Sequence, residues 1–267
     1  MKALLRRADA HWRRRTDPAE VKRAIELYRL ALGGEAGNWS ETERRRRVAQ
    51  THVRLSRARF FLAENIYGSP SSGHSASVEK MKRLHDEGVR SAERALARLD
   101  PKLAGKLDRG ALLSEQIDDA DPAAVPALYW YATNLAKWGK LSGTATIMKH
   151  LDAIKAAMRF VCDRKPGYFY GGCHRYFGAY WVSLPLGKKP GRSRRHFESA
   201  IELAPDFLQN RVQMAKYYAD YRGDRDLYVQ LLEKVVDARP GVEAIAPENE
   251  IARSSASYLL QRVDRRF

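Results

Sequence analysis

The sequence predicts an all-α protein built from stacked helix pairs, a degenerate tetratricopeptide-like superhelix with a central aromatic-lined cleft or pore. Three observations predict it. Apolar residues recur at helical spacing in nearly every segment, and no segment alternates as a strand would. Helix starts are written out as Asp17-Pro18, Ser40 with Glu43, and Asp121-Pro122. Helix endings recur at Pro101, Pro166, Pro205 and Pro240; the last two lie 35 residues apart and the middle pair 39. Those intervals are close to a 34-residue unit of two helices ending at proline.

Taken in order, residues 4–15 read as a first helix with Leu4, Leu5, Ala8 and Trp12 near one face. Asp17 caps the next, Pro18 takes its first position, and Glu20 falls where a capping box places it. Val21, Ala24, Ile25, Tyr28 and Leu32 make its apolar stripe, and Gly33-Gly34 stops it. A helix from Ser40 runs to about Tyr67, and the Gly/Ser/Pro stretch 68–77 predicts a mobile loop. Another helix spans 78–101, followed by short turns to 121. Further helices cover 206–222, 225–238 and 248–266, and the whole chain, 1–267, reads as one domain. Phe197, Ala200 and Pro205 fall where the repeat wants an aromatic, a small residue and a proline, and Ala24, Tyr28 and Ala31 fit in the same way.

The aromatic residues are concentrated in one place. Between Val125 and Pro185 lie 12 of the 26 in the chain, most of them Tyr or Trp. Such side chains join an apolar body to a polar tip, which suits a lined cleft better than simple filling. On the helix opened by PALYWYATNLAKWGK, Tyr131, Leu135 and Trp138 share one face, while Trp130, Asn134 and Lys137 share the adjacent one. The candidate ligand contacts are Tyr129, Trp130, Tyr131, Asn134 and Lys137, then Tyr168, Tyr170, His174 and Arg175. Segment 125–185 has eight Lys/Arg against two Asp/Glu, so a small organic ligand with a carboxylate suits it, with Lys137 and Arg175 as anchors. The plainer alternative is that bulky residues fill helix interfaces and the bases are solvated. Trp138 and Phe177 lean to core; Tyr129, Trp130, Tyr168 and Tyr170 lean to cavity.

The net charge is +16, of which residues 1–60 carry +9. No helix-turn-helix, zinc-finger or RNP signature accompanies it, so nucleic acid is not expected as a partner. Only three residues separate Gly187 from Gly191, Arg192 replaces the lysine of a Walker loop, and no strand precedes. That loop supports no more than an anion at a basic helix N-terminus. His174 beside Cys173 has no second and third ligand at metal spacing, and no acid pair or H-E-x-x-H motif exists, so neither metal nor cofactor nor catalysis is expected. Cys162 and Cys173 read as free buried thiols, although consecutive packed helices in an oxidising compartment would let them bridge. The N-terminus MKALLRRAD is too short for a secretory apolar core. It predicts a cytoplasmic protein unless an export signal has been removed.

Several blocks together carry a resemblance: ADAHWRRRTDP with AIELY, ALYWYATNLAKWGK, GYFYGGCHRYFGAYW, SRRHFESAIELAPDFLQNRVQMAKYYA and the tail PENEIARSSASYLLQRVDRRF. From about Ala8 to Phe267 the chain resembles the TatT family, the T components associated with TRAP transporters. The resemblance implies a cryptic TPR-like helical fold, a homotrimer and a periplasmic role, commonly as a lipid-anchored precursor. It also implies partnership with the TRAP substrate-binding (P) protein and a pore that holds or passes a small organic ligand. The chain departs from that pattern in lacking a lipobox and in being unusually basic.

Overall fold

The computed structural model describes residues 1–34, 39–239 and 241–267. Every regular element among them is helical, and no strand is present. The chain forms two compact units, residues 1–68 with 74–164, and residues 69–73 with 165–267.

In the first unit, α1 (Lys2–Arg13) pairs with α2 (Pro18–Gly33). Asp17 accepts from the Ala19 N–H at 2.7 Å, as the Asp-Pro start predicts. Glu20 does not close a capping box. Its carboxylate instead takes His11 Nδ1 at 2.6 Å and Arg14 at 2.8 Å, because a charged guanidinium outcompetes a backbone N–H already open to water. Leu5, Ala8, Ala24, Leu27, Tyr28, Ala31 and Leu55 close a buried cluster over this pair.

α3 (Glu41–Phe61) begins with the predicted capping box of Ser40 and Glu43. Its last turn widens into a π-helix, Leu62–Tyr67. α4 (Val78–Leu99), α7 (Val125–Ser142) and α8 (Thr144–Arg164) then pack in succession, α3 on α4, α4 on α7, and α7 on α8. Between α4 and α7 run α5 (Pro101–Asp108), α6 (Leu113–Gln116) and short 3₁₀ turns. Pro101 opens α5 with Asp100 as its cap, so it joins two helices where the repeat reading makes it an ending.

In the second unit α9 (Gly172–Ser183) pairs with α10 (Pro190–Leu203). α11 (Gln209–Met214) continues through a second π-helix, Ala215–Ala219, and α12 (Arg225–Val236) packs against α13 (Ala246–Leu260). Phe197 and Ala200, the repeat-like positions of α10, are fully buried. Pro240, the last ending on which the repeat was counted, lies outside the described residues. Ser69 and Ser71 both bond to Ser255 of α13, at 3.4 and 3.3 Å. The expectation of free thiols fails: Cys162 and Cys173 are both disulfide-bonded. Among the described residues no helix is long and apolar enough to cross a membrane.

Candidate functional site

The nine candidate residues divide between the two units, and each group is built around an asparagine with no exposure to solvent.

In the first unit that asparagine is Asn134. Its side-chain amide donates to the Trp130 carbonyl at 3.0 Å and to Ser56 Oγ at 3.1 Å. Ser56 Oγ in turn donates to the Gly88 carbonyl at 2.7 Å. Asn134 Oδ1 lies 3.0 Å from His85 Nδ1, and His85 Nε2 lies 3.1 Å from Glu64 Oε1. Both nitrogens of this fully buried ring thus have a polar partner. Lys137 closes the chain by pairing with Glu64. Burial alone would raise the Glu64 carboxyl, but the Lys137 ammonium and the His85 hydrogen bond outweigh it and hold its pKa at about 2. The π-helical turn is what brings Glu64 to this position, since one extra residue per turn rotates the carboxylate relative to α3.

Trp130, Asn134 and Lys137 therefore do share one face, and that face is turned toward α3 and α4. Trp130 is 1% exposed and Tyr129 4%, so both lie in the core. Trp130 sits 5.6 Å from Phe60 and edge-on to Tyr129 at 5.0 Å. Tyr131, on the adjacent face, is half-buried, and burial with the nearby Glu93 pushes its phenol up to about 12.

In the second unit Asn210 plays the corresponding part. Phe169, Tyr170 and Gly171 have φ of 46°, 59° and 72°, a run of left-handed residues immediately before α9. Two non-glycine residues held there cost about 1–3 kcal/mol each, and the surroundings supply the compensation. Arg175 donates to the Tyr170 carbonyl at 3.0 Å, the Phe169 carbonyl at 3.2 Å and Asn210 Oδ1 at 2.6 Å. Asn210 donates to the Tyr170 carbonyl at 3.2 Å and the Ala200 carbonyl at 2.7 Å. The Tyr170 ring stacks on Phe207 at 4.7 Å and 9°. Gly171 is required on two counts, its positive φ and a Cβ position only 2.9 Å from Ala200 Cα. Tyr168 is half-buried beside this turn.

His174 Nδ1 lies 3.1 Å from His196 Nδ1. Burial lowers the His174 pKa; burial, then His174, Arg192 and Arg195, lowers that of His196 to about 4. One ring must donate and the other accept, so the accepting ring is neutral and the two cannot both be protonated in this geometry. The two histidines line a cavity of about 290 Å³ with Trp181, Arg192, Arg195 and Ser199.

Sequence reasoning did not single out Glu64, His85, Ser56 or Asn210, which hold these groups, nor Arg192, Arg195 and His196 as a set. The last three did leave a signal, because with Ser199 they stand at i, i+3, i+4 and i+7 on α10. Glu64 left none, since a π-helical turn has no apolar signature of its own.

Neither asparagine-centred group shows the nucleophile, base and orienting partner of a hydrolytic site. What the two groups do is fix aromatic side chains on helix faces and brace a strained turn. No curated protein matches the chain. The model of the family described as TRAP transporter T-component matches residues 63–267, a span that contains every candidate residue. By that match the chain belongs to the TRAP transporter T-component family.

Proposed function

We propose that this protein acts in the periplasm as a non-enzymatic, homotrimeric scaffold of a TRAP transport system. It partners the substrate-binding P protein and holds or passes a small apolar or organic-acid ligand along aromatic surfaces. The family match over residues 63–267 carries the reading. Two further observations support it. Disulfides persist in oxidising compartments, and both cysteines are oxidised. Within each unit the helices pack in successive pairs, an architecture whose faces can seat a partner.

Within this reading the half-buried candidates meet the ligand: Tyr131 in the first unit, and Tyr168, Tyr170 and His174 in the second. Trp130, Asn134 and Arg175 hold the frame behind them, and Lys137 is committed to Glu64. Native mass spectrometry of the purified chain, with and without a TRAP substrate-binding protein, tests the proposal. A trimer that takes up that protein is expected. A monomer that ignores it would leave a general helix-pair adaptor binding a peptide as the better reading.

A further inference from the structure

The cavity between α9 and α10 differs in chemistry from the aromatic surfaces. Arg192, Arg195, His196 and Ser199 form one stripe of α10, and His174 and Trp181 face it from α9. Neither arginine is ion-paired among the described residues, whereas Arg194, on another side of the same helix, pairs with Glu198 at 2.8 Å. His174, Arg192 and Arg195 act on His196, and the residues lining the cavity include no carboxylate. The lining is thus rich in donors and poor in acceptors. The Arg192 guanidinium is held over the Trp181 ring at 4.9 Å, with Lys189 over the same ring at 5.4 Å. The Lys189 N–H bonds the Trp181 carbonyl at 2.9 Å, so the α9–α10 connection is tied down beside the cavity.

We propose that this cavity binds a phosphoryl group, with Arg192 and Arg195 supplying paired charge and forked donors, and Ser199 and the histidine pair supplying neutral ones. A carboxylate has two oxygens and one charge, which a single guanidinium satisfies. A phosphoryl group presents up to three oxygens and two charges, which match two guanidinium forks. The volume of about 290 Å³ also leaves room for the substituent of a phosphate ester. That substituent has two possible sources, a soluble ester or a lipid headgroup. Leu186, 86% exposed in the same connection and followed by Lys188 and Lys189, makes the headgroup source worth its own arm of the test.

The test uses the full chain, with inorganic phosphate titrated by calorimetry and with cosedimentation on vesicles of phosphatidylcholine alone or mixed with phosphatidylglycerol. The double variant R192Q/R195Q is compared with R194Q/R222Q, which removes the same formal charge elsewhere in the second unit. All four arginines are exposed, so both variants should fold, which circular dichroism checks. Saturable phosphate or headgroup binding is expected, weakened at least about tenfold in R192Q/R195Q and within about twofold of the parent in R194Q/R222Q. Vesicle binding that also falls in L186S, with phosphate binding unchanged, assigns the group to a lipid; phosphate binding without vesicle binding assigns it to a soluble ester. Absence of saturable binding to either probe, or equal loss in the two double variants, overturns the proposal.

Discussion

A Cβ placed on Gly88 would lie 2.5 Å from Asn134 Oδ1. The close approach of α4 to α7 therefore depends on a glycine at that position, and the Asn134 hub depends on the approach. Gly88→Ala must push the amide away from His85 and Ser56, leaving buried polar groups unsatisfied. A loss of about 2–4 kcal/mol is expected in urea unfolding. Gly105→Ala in α5 is the control, since its Cβ would meet only the end of Arg109 at 3.5 Å. That change should be neutral or stabilising by up to about 1 kcal/mol. Equal losses at the two glycines would mean that packing at Asn134 is not the cause.

Glu64→Gln keeps the shape of the side chain but removes the charge that answers Lys137 and His85. Removing one partner of this half-buried, charge-assisted pair costs about 1–3 kcal/mol. The cost should depend on pH with a definite sign. Because the folded carboxyl titrates at about 2 against an ordinary value of 4.5, its stabilisation is complete above pH 4.5 and is lost as pH falls toward 2. Urea midpoints of the parent and Glu64→Gln should thus converge in acid. A gap that stays constant through that window would place the effect in packing.

How far the sequence could be read is clear from particular residues. The capping box of Ser40 and Glu43, the Asp17 cap, and the buried Ala24, Tyr28, Phe197 and Ala200 were all legible, because caps and apolar periodicity are local. The grouping of Trp130, Asn134 and Lys137 on one face was legible for the same reason. What that face meets was not. Whether a helix face abuts another helix or open space depends on α3 and α4, whose contacts with α7 span 78 residues between Asn134 and Ser56. Glu64 was hidden by a π-helical turn, and Glu20 by the competition of His11 and Arg14 for its carboxylate. The oxidation state of the cysteines was open because spacing alone does not fix it.

Arg175 and the left-handed turn give a third expectation. Arg175→Lys retains the charge but cannot reach the Phe169 and Tyr170 carbonyls and Asn210 together. Unfolding should be about 1–3 kcal/mol easier. The distinguishing readout is hydrogen exchange, which should quicken at residues 167–172 before it does so in α12. A uniform change across the second unit would make Arg175 an ordinary core contact.

The His174–His196 pair gives the last. Its Nδ1–Nδ1 distance of 3.1 Å admits one hydrogen between the rings, so protonating the second ring sets two N–H groups against each other beside Arg192 and Arg195. Both folded pKa values lie below the ordinary histidine value of 6.5, that of His196 at about 4, so the unfolded chain binds protons more readily than the folded one. The stability this neutral pair contributes is therefore present above pH 6.5 and declines as pH falls toward 4. Thermal unfolding of the parent should show that decline, and His196→Asn, which does not titrate, should flatten it while retaining a hydrogen-bond partner for His174. Saturating phosphate should also flatten it, because an anion between the arginines offsets the added charge. A decline that persists unchanged in His196→Asn would move its origin to His52, which burial and the nearby Arg94, Arg98 and Arg59 lower to about 4 and which therefore titrates in the same window.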